Sequence, residues 1–396
     1  MRAFLTATVR FWRWALVLAL LPACTDSYLP DVIKAPPAYL VVDGFLNAQG
    51  STTIKLARTY AVGAKTASPV ETRASVYLEE EGGTATLLRE APAGTYSSPA
   101  LTLNPARRYR LHLNTLGGKE YASDFVPVKT TPPIDAVSWQ AEASGLNIRL
   151  STHDPANATR YYRWDYTETW EITPVYVPQV EYKLNTLPLP DISVPFPDKC
   201  WASAPSTSLL LGNTTTLSQD VVAERLLRVV PANSERLYTR YSILVQQQAL
   251  TKDEFDYWEL LRKNTESIGS LFDPQPARLT GNVRCLNAPA ELALGFVGAH
   301  SVVEQRIFVA RNQLPRIWVP LTGYEACVPP DTVSLINPPV KYPLQALQSY
   351  FGNGGNYLPI EPLYNKLGNI TGYTAKSRDC IDCRTRGTSV KPSYWP

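Results

Sequence analysis

Proline interrupts this chain almost everywhere. There are 34 among 396 residues, following no period, where about 5% is the average usage. Each one fixes φ and removes a backbone donor, so long helices are confined to the few stretches that lack it. With 22 Tyr and 9 Trp beside them, the prolines favour a β-rich protein with many turns over a helical bundle. An apolar fraction of 44% is ample for buried cores, and a charged fraction of 18% argues against a disordered, highly charged chain. The length of 396 residues allows two or three domains at roughly 100–200 residues each.

The N-terminus bears on compartment. Arg2, Arg10 and Arg13 form a basic segment, and Trp14 to Leu21 (WALVLALL) is a short apolar run. Such a run has the length of a secretory core, about 7–15 residues, and falls short of the ~20 needed to span a bilayer. Leu21-Pro22-Ala23-Cys24 follows and resembles a bacterial lipobox, in which the cysteine sulfur takes a diacylglycerol and becomes the first residue. The competing reading is an ordinary signal peptide. Two or three acyl chains anchor stably where one is marginal. Removing residues 1–23 leaves 35 basic and 35 acidic residues, so the formal charge falls from +3 to zero. A neutral chain lacks the basic footprint of a nucleic-acid binder.

Residues 24–37 read as a polar, proline-containing tether. From 38 to 131, short runs rich in β-branched and aromatic residues succeed one another: YLVVDGFL (39–46), TTIKLAR (52–58), RASVYLEE (73–80), RRYRLHL (107–113) and YASDFVPV (121–128). Turn residues separate them, and strands at roughly 8–12-residue spacing predict an immunoglobulin-like β-sandwich. Thr130 to Pro133 reads as a joint. A second unit, 132–396, opens with LNIRLST (146–152) and an Asp154-Pro155 turn before the aromatic strand YYRWDYTETWEI (161–172), a pattern that resembles a fibronectin type III domain. Tyr162, Trp164 and Tyr166 share one face there, and Tyr161, Arg163 and Asp165 the other.

Two insertions depart from a plain sandwich. Residues 173–200 hold six prolines and little alternation. A helical insertion spans about 218–268. Thr251 and Glu254 form a capping box, Leu250 and Phe255 a hydrophobic staple, and Phe255, Trp258 and Leu261 an apolar stripe over 252–268, with Gly269 as the stop. A weaker helix is expected at 219–228. Strands resume at 237–247, 292–299 and 302–310. The tail from about 335 is expected to be mostly loops, with a short helix near 344–351. No period of 20–50 residues repeats, which disfavours a solenoid or propeller.

The lipobox, YLVVDGFL, YYRWDYTETWEI, the block from Phe255 to Cys285, LGFVGAHSVVEQRIFV and the closing CIDCRTRGTSVKPSYW (380–395) together resemble a Bacteroidota lipoprotein family, domain of unknown function 4249 (DUF4249). The closing block, with two cysteines, Gly387, Lys391-Pro392 and a terminal aromatic-Trp, is the most specific part. The resemblance implies an accessory protein encoded near TonB-dependent outer-membrane receptors, with no catalytic residues assigned.

Beyond Cys24, the candidate disulfide cysteines are Cys200, Cys285, Cys327, Cys380 and Cys383. Five allow at most two intrachain disulfides and leave one thiol. Cys380 and Cys383 form a C-x-x-C, which in an envelope compartment reads first as structural cystine; zinc and redox readings are weaker without a second C-x-x-C or a βαβ context. His112, His153 and His300 have no motif partners, so no metal site is expected. There is no serine elbow, and Gly352 to Asn356 is not a phosphate loop. Asp165, Glu168 and Glu171 read as solvated or hydrogen-bonded strand positions, and a glycosidase pair is the alternative. Tyr161, Tyr162, Trp164, Tyr166 and Trp170 are weighed as core against a sugar platform, and alternation favours core. Tyr176, Tyr182, Phe196 and Trp201, in or beside the proline-rich excursion, are the candidate partner contacts; the competing role is to cover the chain's own sheet edge. The expected function is a lipid-anchored outer-membrane accessory or binding protein, without cofactor, beside a TonB-dependent channel. The alternatives are a carbohydrate-binding or carbohydrate-active protein and a structural or adhesive surface protein.

Overall fold

The computed structural model describes residues 38–396, apart from 61–67, 185, 188–191, 194, 267–278, 280, 337–341 and 354. The signal segment, the tether, Cys24 and the Gly269 stop lie outside the described residues. The protein is mainly β.

The first eight strands are β1 (Leu40–Asn47), β2 (Gln49–Arg58), β3 (Ser75–Glu80), β4 (Ala85–Glu90), β5 (Thr95–Thr102), β6 (Arg108–Asn114), β7 (Glu120–Ser123) and β8 (Val126–Pro127). Alternation drives them. Ile54 and Leu56 point inward from β2, Val76 and Leu78 from β3, and Leu111 and Leu113 from β6, while their neighbours face out. β4 pairs with β3 through Ala85–Leu88 and with β5 at Arg89 and Glu90, so it turns the corner between two faces. Leu40, Val42, Leu46, Tyr96, Leu111 and Tyr121 fill the space between them. Each such side chain contributes roughly 1.5–3 kcal/mol when fully buried.

The second unit holds β9 (Ile134–Glu142), β10 (Gly145–Asp154), β11 (Tyr161–Ile172), β12 (Cys200–Pro205), β13 (Leu210–Asn213), β14 (Asp220–Val230), β15 (Arg240–Ala249) and helix α1 (Lys252–Glu266). The chain then returns to the first unit as β16 (Val283–Cys285), β17 (Ala293–Leu294) and β18 (Ala299–His300). β16 pairs with β7 and β17 with β1, and an antiparallel bridge from Arg284 to Leu292 joins the two. The first sheet is thereby closed into a ring, and both strands that seal its edges come from beyond residue 280. Sealing removes unpaired donors and acceptors that would otherwise invite another chain. β19 (Val302–Ala310) goes back to the second unit along β15.

In the second unit, a sheet ordered β14-β10-β9 faces another ordered β12-β11-β15-β19, with β13 also on β11. Leu146, Ile148 and Leu150 meet Tyr162, Trp164, Tyr241, Ile243 and Val245 between them. The sugar-platform alternative for the aromatics of β11 fails for its inner face, because Tyr162, Trp164 and Tyr166 are core residues.

Two expectations are corrected. Residues 219–228 form β14 and not a helix. Its pairing with β10 slips at two places, and Glu224 sits at φ 47°. These slips break the two-residue alternation, and Val222, Leu227 and Val230 are the apolar residues of β14 that pack against the core. The tail, expected to be mostly loops, contains a sheet ordered β20-β22-β21, from β20 (Asp331–Ser334), β21 (Tyr357–Tyr364) and β22 (Ile370–Ser377). Prolines at 359 and 362 and a register slip in β21 hide it from a search for alternation. Helix α2 (Pro343–Phe351) matches the expected short helix, and a single turn, α3 (Arg378–Ile381), follows β22. Helix α1 keeps one arm of the expected capping box and the staple: the Glu254 N–H donates to Thr251 Oγ1 at 3.2 Å and Leu250 and Phe255 are buried together, while the Glu254 carboxylate turns to His300.

The joint between the units is fixed by hydrogen bonds. Thr131 N–H donates to Ser301 Oγ (2.9 Å), Ala249 N–H donates to Thr131 Oγ1 (3.0 Å), and Gln247 Nε2 donates to the Pro132 carbonyl (2.9 Å). Three crossing segments of the chain hold one another there, with Thr131 and Gln247 buried.

Candidate functional site

The cysteines converge. Cys200 pairs with Cys383 across 183 residues, and Cys327 with Cys380 across 53. All four lie in one buried cluster with Trp170, Ile172 and Tyr324. The C-x-x-C is thus no dithiol: each of its sulfurs is committed to a different distant partner. Cys285 is the remaining thiol, buried in the first core and outside both disulfides. Between the half-cystines, Asp382 is buried and salt-bridged to Arg384 (2.7 Å) and Arg378 (3.3 Å). Burial alone would raise its carboxyl, but bonds from the Arg384 side chain and backbone and the charges of Arg384 and Arg378 hold it below the usual carboxylate range.

Cys327–Cys380 ties the segment that leads into the tail sheet to the turn that leaves it, and Cys200–Cys383 fastens that turn to the end of the proline-rich excursion. The excursion lies on that sheet: Gln179 N–H donates to the Ile360 carbonyl (2.6 Å), and Val180 is buried with Val333, Leu347, Phe351 and Tyr373. The four candidate partner-contact aromatics are engaged by the chain itself. Tyr176 is half-buried and its hydroxyl donates to the Cys327 carbonyl (3.1 Å). Tyr182 meets Phe351 at 5.8 Å. Phe196 is half-buried, with the Arg384 guanidinium 5.8 Å above its ring. Trp201 is buried edge-on to Trp395 at 6.5 Å. Its exposed apolar side chains are aliphatic, led by Val177 at 68% and Leu184 at 61%, and stand among exposed polar residues such as Gln179, Lys183 and Asp198.

The carboxylates of β11 separate by role. Glu168 is buried and accepts from Arg228 (3.2 Å), Tyr241 (2.9 Å) and Arg236. Glu171 is buried and paired with Lys199 at 3.0 Å. Asp165 opens instead into a cleft between the units, where Arg163 holds it at 3.1 Å.

That cleft is about 310 Å³. Asp43, Gly44 and Phe45 of β1 line one side; Arg163, Asp165 and Thr167 of β11 and Gln246 and Gln248 of β15 line the other; Glu254 and Trp258 of α1 and His300 of β18 complete it. His300 is 1% exposed, stacks on Phe45 at 4.2 Å and stands 3.5 Å from the Glu254 carboxylate. Gly298 makes room for that carboxylate, since a Cβ there would lie 2.1 Å from it. Among the described residues, neither ring nitrogen of His300 has a hydrogen-bond partner, nor does the Trp258 indole N–H. Burial and the nearby Asp43 charge push the Tyr257 phenol beside the cleft up to about 12.

Sequence reasoning gave Glu254 only a capping role and found no motif partner for His300. No spacing signal links β1, β11, β15, α1 and β18, because only the tertiary fold brings them together. His112 and His153 are elsewhere, the first between Glu79 (2.6 Å) and Glu120 (2.8 Å), the second on Asp135 (2.8 Å). Among the described residues, no three His, Cys, Asp or Glu side chains form a cluster able to hold a metal ion.

No curated protein matches the chain. A family profile does, over residues 25–306, spanning the first unit, the cleft residues and most of the second unit. By that match the chain belongs to the family described as domain of unknown function (DUF4249).

Proposed function

We propose that the protein is a lipid-anchored binding or accessory subunit of the outer membrane, tethered through Cys24 and working beside a TonB-dependent receptor or transporter in nutrient uptake. The observation that carries this reading is the pair of buried disulfides. Such bonds persist in oxidising compartments and are rare in the cytosol, which fits export by the signal segment preceding Cys24. Among the described residues, no helix is long and apolar enough to cross a membrane, which leaves the lipid as the anchor this reading needs. The strand orders β14-β10-β9 and β12-β11-β15-β19 support a fibronectin type III-like identity for the second unit, a scaffold suited to presenting surfaces.

Labelling cells with a clickable fatty acid tests the anchor. The wild-type protein is expected to carry label, and Cys24→Ala to be unlabelled and either uncleaved or released from membranes. Label on Cys24→Ala would overturn the anchor. Copurification from native membranes tests the partner: a TonB-dependent channel is expected in stoichiometric amount, and its absence from the wild-type complex would overturn the accessory role.

A further inference from the structure

We infer that the cleft between the two units binds a neutral, polyhydroxylated molecule about the size of one sugar ring. The inference goes beyond the accessory role, since it stands whether or not a channel partner exists.

The cavity volume of about 310 Å³ lies at the small end of ligand pockets, about 300–1,000 Å³, which suits a single ring. The deep end is polar and unfinished. His300 is almost fully enclosed, yet among the described residues neither of its ring nitrogens makes a hydrogen bond, Nε2 only approaching Glu254 to 3.5 Å. The Trp258 indole N–H on the same cavity is also without one. Buried polar atoms are nearly always partnered, so three orphans on one cavity mark where a ligand's own polar atoms belong.

The charge pattern selects the class. The Arg163 guanidinium is held against Asp165 by two contacts (3.1 and 3.2 Å) and lies 4.1 Å over the Trp258 ring. Gln248 Nε2 reaches the same Asp165 at 3.4 Å. Glu254 faces His300. The Arg163 guanidinium is therefore matched by Asp165, and an anionic ligand would lose water without gaining an unmatched counter-charge while facing Asp43, Asp165 and Glu254. Hydroxyl groups meet no such penalty, because each both donates and accepts. They can give a proton to the Glu254 carboxylate and accept from the Trp258 N–H. Phe45 and Trp258 supply apolar wall for the C–H faces of a ring.

Two lines of the cleft are built to persist. Gly44, at φ 135°, lets β1 pass close to β2, where a Cβ would lie 2.5 Å from the Thr53 carbonyl. Gly298 seats Glu254 beside His300. The hydrogen-bonded joint at Thr131 keeps the two walls in register.

The test uses the full chain and ligand-observed saturation-transfer NMR with methyl α-D-glucopyranoside, methyl α-D-galactopyranoside and myo-inositol at millimolar concentration. Glucose 6-phosphate and putrescine are the charged comparisons. Transfer to at least one neutral probe is expected, with weaker transfer to both charged ones. Gln246→Trp, at a half-buried position on the cleft wall, is expected to abolish it by filling the cavity. Glu254→Gln should weaken it by about tenfold, the loss of one charge-assisted hydrogen bond. Because the chain has 3 histidines, selective histidine labelling resolves His300 in the wild-type protein, and its resonance is expected to shift with the neutral probe even if a variant fails to fold. The proposal is overturned by no transfer from any neutral probe, by preference for a charged one, by undiminished transfer to folded Gln246→Trp, or by a His300 resonance that does not move.

Discussion

The first sheet and the C-terminal lobe solve the same problem by different means. The first sheet surrounds a core of many large side chains, among them Leu40, Ile54, Tyr96, Leu111 and Tyr121. It contains no disulfide, and its edges are closed by hydrogen bonds to β16 and β17. Among the described residues, the lobe of β20, β21, β22 and α2 centres on a buried cluster of Val180, Val333, Leu347, Phe351, Tyr373 and Ala375. One of those six is lent by the excursion. A core this small gives little surplus over the entropy of ordering its residues. The two ends of the lobe are instead stapled to each other by Cys327–Cys380 and fastened to β12 by Cys200–Cys383. Where apolar burial is scarce, covalent closure substitutes for it.

Removing the covalent half should break the comparison most severely. Replacing Cys200, Cys327, Cys380 and Cys383 with serine is expected to unfold the lobe while the first sheet survives. Each native disulfide lost from a small domain costs roughly 2–5 kcal/mol. Limited proteolysis with mass spectrometry would show cuts concentrated in 327–383 and a protected fragment containing 38–131. Uniform cleavage along the chain would mean that the lobe and the first sheet form one cooperative unit.

The reciprocal cut is Leu111→Ala, at a side chain 1% exposed in the first core. It should cost about 2–5 kcal/mol through lost burial and a cavity. The lobe should stay intact, because its two disulfides do not depend on that core. Hydrogen exchange read by peptide would show faster exchange in β3, β6 and β7 and unchanged exchange in β22. A matched rise in β22 would show that the two regions unfold together.

A smaller effect sharpens the contrast through pH. The Asp382 carboxyl titrates below its unfolded value, so the stability it contributes is present above about pH 4 and is lost as the pH falls through the lower folded value. Asp382→Asn removes a buried acceptor of charged bonds and should cost about 1–3 kcal/mol near neutrality. The gap between wild type and variant, followed by thermal melting of the lobe, should narrow as the pH drops below 4. A gap independent of pH would assign the loss to shape and not to charge.

Legibility in the sequence followed the regularity of the strands. β2, β3 and the middle of β10 alternate and were readable from side-chain polarity, whereas β19 was readable by its β-branched and aromatic residues. The inward face of β11 was also readable, because Tyr162, Trp164 and Tyr166 fall at every second position. β4 and β5 escaped notice because small and polar residues break their pattern. β14 was hidden because its register slips break the alternation. The odd cysteine count allowed at most two disulfides, but the partners of Cys380 and Cys383 depend on where the lobe folds back. The cleft was invisible for a related reason: Asp43, Asp165, Glu254 and His300 are each ordinary in their own segments, and only the crossing of five elements makes them neighbours.

The late strands that complete the first sheet set an order of events. A nascent or exported chain that has emerged only as far as residue 131 carries β1 and β7 as open edges, since β16 and β17 follow more than 150 residues later. The intervening segment holds most of the second unit. Closing the ring therefore waits on a loop of that length, a non-local contact of the kind that slows folding and prolongs exposure to wrong partners. During that interval the earliest part of the protein to appear is among the last to be finished, and the chaperones of its compartment would meet it with two unsatisfied strands.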